Sequence, residues 1–71
     1  MATTTRTVLS HRIRITTRPA LDGCGTTWTW RTITGPVRAG GTGHSYDTAR
    51  GARDAAIDSA LTVLGARTVA A

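Results

Sequence analysis

Trp28 and Trp30 stand two residues apart within Thr26 to Thr34, a stretch dense in β-branched and aromatic residues that reads as a strand. Side chains alternate along an extended chain, so both indoles share one face while Thr27, Thr29 and Arg31 share the other. The 71 residues include no phenylalanine and one tyrosine, so these rings are most of the aromatic bulk from which a core can be built. Burying each is worth about 2–3 kcal/mol. Any fold of this chain has to cover the tryptophan face; using the rings to stack on unpaired bases would leave little else to bury.

The cover comes from the C-terminal third. Thr48 suits the N-cap of a helix running to about Leu64, with Gly65 as its stop. Ala49, Ala52, Ala56, Ile57, Ala60, Leu61, Val63 and Leu64 make one broad apolar stripe opposite Gly51, Asp54, Asp58 and Thr62. The alanines let such a helix approach a sheet closely.

Two more strands flank the first. From about Val8 to about Thr17, the inward series Leu9, His11, Ile13 and Ile15 alternates with Ser10, Arg12, Arg14 and Thr16, the period of a half-buried strand. Arg18-Pro19 stops it, and residues 21 to 25 read as a loop. Gly35-Pro36 signals a turn into a strand from about Val37, with Val37 and Ala39 inward and Arg38 outward. Gly40, Gly41 and Gly43 point to a bulge or break before Tyr46. Val8 and Ile33 have the wrong parity for this scheme, which places at strand ends would explain. The expected fold is α+β, a three-stranded antiparallel sheet packed on one C-terminal helix in the order β-β-β-α. It forms a single small domain over residues 1–71, with mobile tails at 1–7 and 66–71.

One sheet face is then open to solvent, and it carries Arg12, Arg14, Arg31 and Arg38 among Thr and Ser. The net charge of +5 lies wholly in the strand half: residues 1 to 46 hold six Arg against Asp22, while residues 47 to 71 are neutral. All nine cationic side chains are Arg, and Thr, Ala and Gly abound. That is the composition of a GC-rich genome, such as that of an actinobacterium or its phages and plasmids, so Arg in place of Lys carries no functional reading. Like charges crowded on one face cost stability unless an anion offsets them. Nucleic acid is the commonest such partner, since Arg contacts phosphates and guanine edges and a sheet can enter the major groove. The expected function is therefore binding of duplex DNA through Arg12, Arg14, Arg31 and Arg38. Two other readings compete: a phage- or plasmid-type accessory protein that binds an acidic protein surface, and a structural homodimer whose charge serves solubility.

Other chemistry finds weaker footing. Cys24, Asp22, His11 and His44 lack the paired spacing of a metal site. A Cys24 and His44 nucleophile pair would sit on a glycine-flanked loop in a domain without a cleft. Gly40-Gly41-Thr42-Gly43 lacks the phosphate-loop sequence, and Asp47 beside the helix start would repel phosphate. His11, on the inward parity, reads as a satisfied interior or rim imidazole and not as a ligand or pH switch. No catalysis, cofactor or metal is expected. Arg6, Arg12, Arg14 and Arg18 precede the first acidic residue, as in a transit peptide, but their alternation with apolar residues favours a strand. No apolar run is long enough to span a membrane, so a cytoplasmic protein without membrane contact is expected.

Trp28-Thr29-Trp30-Arg31, then Gly35, Ala39, Gly43, Tyr46, Ala52 and Ile57, follow the order W-x-W-R, turn glycine, small residue, tyrosine, and a helix with Ala and Ile on its buried side. Over about Thr26 to Leu64 this resembles the YegP-like group of small domains of unknown function. The resemblance implies a compact strand-rich module with a helix, often a homodimer or tandem repeat, and brings no catalytic residues. Gly35-Pro36 stands where that group typically has Asn-Gly, and the first strand is unusually Arg-rich. The layout is also similar to integrase arm-binding and AP2-like DNA-binding domains, in which three antiparallel strands precede a helix and the sheet reads the major groove. Trp30, the basic strands, Tyr46 and Thr48 carry that similarity.

A core with so few large side chains, and with Cys24 as the only cysteine, gains most cheaply from a partner subunit. Light scattering should accordingly give twice the 7.4 kDa monomer mass. A monomer at micromolar concentration would refute the expected homodimer.

Overall fold

The structure, a computed structural model of the chain, describes residues 2–21, 23–46 and 48–70. It is α+β, with β1 (Ala2–Val8), β2 (His11–Pro19), β3 (Thr26–Thr34) and β4 (Gly40–Ser45) followed by α1 (Ala49–Ala70). The sheet is antiparallel in the order β1-β2-β3-β4, and the helix packs across one of its faces. The sheet thus has four strands, not three.

The added strand is the segment expected to be a mobile tail. Thr3, Thr4, Thr5 and Thr7 are polar but β-branched, and they pair with β2 in a continuous register from Ala2 opposite Thr17 to Val8 opposite His11. Leu9 and Ser10 turn the hairpin with positive φ values of 48° and 67°. Two successive left-handed residues make the two-residue turn that matches sheet twist, although Asn-Gly is its usual sequence. Leu9 therefore lies in a turn and is 48% exposed instead of pointing inward, while Val8, across from His11, is buried. That resolves the parity of Val8, which closes its own strand.

β3 occupies the expected span, Thr26–Thr34. Its register against β2 slips between Arg12 and Ile13, which pair with Thr34 and Thr32, so Ile33 is an extra residue at a bulge and remains exposed. The bulge accounts for its parity. The last strand starts at Gly40, later than Val37. Upstream of the Arg31–Gly40 pair one backbone bond remains, from the Thr32 N–H to the Ala39 carbonyl at 3.0 Å, and side chains supply the others: the Ala39 N–H donates to Thr32 Oγ1 at 3.1 Å, and the Val37 N–H donates to His11 Nε2 at 3.1 Å. Val37 and Ala39 still pack partly buried against the core.

The glycines of β4 do not break the strand. Gly41 pairs with Trp30 and Gly43 with Trp28, and both indoles lie across β4. A Cβ on Gly41 would come within 2.6 Å of Trp30 Nε1, and one on Gly43 would overlap the Trp28 ring. The missing side chains are the space that the rings fill. Trp30 is 1% exposed and its Nε1–H donates to Ser59 Oγ on the helix at 3.1 Å; Trp28 is half-buried against the same cluster.

Thr48 caps α1 as expected, its Oγ1 accepting the Gly51 N–H at 3.4 Å. Gly65 does not stop the helix. Arg67 and Thr68 carry on the turn beyond it, with the Thr68 hydroxyl donating to the Leu64 carbonyl, so the tail expected at 66–71 is helical through Ala70. Met1 and Ala71 lie outside the described residues. Ala52, Ala56, Ala60 and Leu64, one per turn, are fully buried, the last three in one cluster with Ile13, Ile15 and Trp30, whereas Leu61 at 44% stays exposed. The stripe is narrower than the alternation of apolar letters suggests.

Two stability changes follow from this packing. Gly43→Ala forces a methyl into the Trp28 ring and should cost about 1–3 kcal/mol in urea unfolding. Ser10→Gly relieves a left-handed residue and should add about 1 kcal/mol. A neutral Gly43→Ala would show that the indole does not lie on β4.

Candidate nucleic-acid interface

Alternation and register together define the sheet face away from α1. Across the strands its rows are Thr7, Arg12 and Thr34; Thr5, Arg14, Arg31 and Gly40; Thr3, Thr16, Thr29 and Thr42; and Arg18, Thr27 and His44. The Arg side chains in these rows are exposed, while the alternate residues of β2, namely His11, Ile13, Ile15 and Thr17, are buried under the helix. Sequence parity places Arg12, Arg14 and Arg31 here, and the structure brings all three together.

Arg14 and Arg31 are direct cross-strand partners, a geometry that puts their Cβ atoms about 5 Å apart. With Thr16, Arg18, Thr27 and Thr29 they line a shallow depression of about 400 Å³. Three guanidiniums thus surround three hydroxyl-bearing side chains. Among the described residues, none of Arg12, Arg14, Arg18 and Arg31 has an ion-pair or hydrogen-bond partner. The acidic residues of the helix, Asp54 and Asp58, are exposed on α1, away from this face. Among the described residues, no carboxylate pairs with the cluster.

The threonines make the floor stiff. Thr42 Oγ1–H donates to the Trp28 carbonyl at 3.0 Å and lies 3.3 Å from Thr29 Oγ1, so the row is tied across β3 and β4. Branched side chains hold few rotamers, which keeps the surface level beneath the mobile Arg side chains.

Arg38 stands differently. It precedes β4 instead of lying on a strand, and its carbonyl accepts from Arg67 Nη1 at 3.2 Å. It lines a second depression with Arg31, Thr32, Ile33 and Ala39, so it borders the cluster through Arg31. Sequence reasoning missed Arg18. Its parity with Arg12 and Arg14 is the available signal, masked by Pro19, which reads as a stop but occupies the strand's last position.

The remaining candidates are dispersed. His11 is buried with Nδ1–H donating to the Leu9 carbonyl at 2.7 Å and Nε2 accepting from Val37, so both ring nitrogens are engaged. Cys24 is exposed, and Asp22 and Asp47 lie outside the described residues. Gly40-Gly41-Thr42-Gly43 is strand, not a phosphate-binding loop. Among the described residues, no three His, Cys, Asp or Glu side chains converge, and no helix is long and apolar enough to cross a membrane.

No protein-family model, curated protein or solved structure matches this chain.

Unneutralised charge should be visible in stability. Raising salt towards about 1 M shortens the screening length to about 3 Å, so the melting temperature should rise with salt. Arg14→Thr should flatten that rise. A melting temperature indifferent to salt in the wild type would mean that the guanidiniums do not repel one another appreciably.

Proposed function

We propose that the protein binds duplex DNA through the open sheet face, with Arg12, Arg14, Arg18, Arg31 and Arg38 contacting the backbone and base edges. The observation that carries this reading is the depression where Arg14, Arg18 and Arg31 surround Thr16, Thr27 and Thr29, with no ion-pair partner for these Arg side chains among the described residues. Guanidinium groups form charge-assisted hydrogen bonds to phosphate, and threonine hydroxyls add neutral donors to the same oxygens. Both kinds of group lie on one level surface, which suits a ligand carrying repeated anions in place of a single small molecule.

The buried tryptophans also bear on the class of ligand. Proteins that bind unpaired strands along their length set aromatic rings in a row under the bases. Here Trp30 is enclosed and Trp28 half-enclosed on the opposite side of the sheet. The Arg cluster itself therefore engages the outside of a helix.

Neutralising four to five phosphates predicts a log-affinity against log-salt slope of about −3.6 to −4.5. Titrating labelled duplex at several salt concentrations measures it, and absence of binding at low salt would remove the proposal. Arg18→Ala should reduce the slope by about 0.9 and leave the fold intact, because the side chain is exposed. A pull-down from lysate with and without nuclease separates this reading from capture of an acidic protein, which would survive the nuclease.

A further inference from the structure

The open face ends in an aromatic pair that the phosphate reading leaves unused. His44 lies opposite Thr27, which in turn lies opposite Arg18, so the His44 side chain closes the row at the margin of the Arg depression. Tyr46, immediately after β4, meets the His44 ring edge to face, with centroids 4.8 Å apart and planes at 70°. Its side chain is 86% exposed. A phenol ring this open, in a chain so short of aromatic bulk, contributes little to the core. It nonetheless packs edge to face on a neighbouring ring.

We infer that Tyr46, braced by His44, is a stacking platform for an unpaired nucleobase at the end of the DNA held by the Arg face. This inference rests on the DNA-binding reading and specifies its ligand: a duplex with a single-stranded overhang or junction in preference to a continuous duplex. The two features are complementary. Arg18, Arg14 and Arg31 engage phosphates, which every duplex offers, whereas an exposed ring gains from a base only where that base is out of the helix. His44 and Arg18 are two strand spacings apart along one row, about 10 Å, which sets the base platform beside the phosphate depression on the same surface. The described remainder of the open face carries no aromatic side chain, so the platform takes bases at one end only.

The test is fluorescence anisotropy with two labelled probes, a blunt duplex and the same duplex extended by a short thymidine overhang. The wild type should bind the overhang probe about fivefold or more tightly, and Tyr46→Ala should abolish that advantage while leaving blunt-duplex affinity unchanged. Tyr46→Phe should retain it, which distinguishes stacking from a hydroxyl contact. Equal affinity of the wild type for both probes, or an advantage that survives Tyr46→Ala, overturns the platform and leaves the Arg face standing. Failure of both probes to bind at low salt overturns the Arg face and the platform with it.

Discussion

Two indoles laid across two glycines hold this molecule together. Trp28 and Trp30 reach from β3 over Gly43 and Gly41 of β4, and the alanines of α1 close down from above. Each component is conditional on the others. A side chain at either glycine would lift a ring, and a raised ring would hold off a helix whose contact stripe, Ala52, Ala56 and Ala60, has no reach of its own. The hydrogen bond from Trp30 Nε1 to Ser59 Oγ fixes the position of the helix on the sheet and satisfies the only polar atom of the enclosed ring. Small residues above and below thus take the place of the missing phenylalanines.

This arrangement buries the middle of one face of the sheet, leaving Ala2 and Arg6 of the edge strand β1 exposed on that side, and leaves the other face open. Because strand residues alternate, the same letters that bury Ile13, Ile15 and Trp30 send Arg12, Arg14 and Arg31 to the reverse side. The bulge at Ile33 keeps this true at the far end of β3, since it restores Thr34 to the position opposite Arg12. In β2 and β3, burial and charge are therefore separated by the thickness of a single layer, whereas Arg6 of β1 lies on the helix side.

Much of this was legible in the order of residues. The strand containing the tryptophans, the inward set His11, Ile13 and Ile15, the cap at Thr48 and the outward Arg12, Arg14 and Arg31 all follow from periodicity. What was hidden lay where a residue serves against its usual habit. Leu9 and Ser10 turn a hairpin without the glycine or asparagine that announces one, so the threonines of β1 look in the sequence like a polar tail. Gly41 and Gly43 looked like interruptions because the rings they accommodate are distant in sequence. Gly65 sits in mid-helix, where only its neighbours' continued hydrogen bonding shows that the turn persists. Arg18 was hidden by Pro19, whose lack of an N–H is tolerable at the last position of a strand.

The threonine floor has an evolutionary consequence. Its hydroxyls and branched carbons secure the strands locally, and the Arg side chains rising from it are exposed and belong to no part of the buried cluster. Substituting one cation for another residue, or moving it one row along a strand, leaves the buried cluster on the opposite face in place. Selection can therefore rewrite the lettering of one side of this sheet while the architecture behind it stays the same.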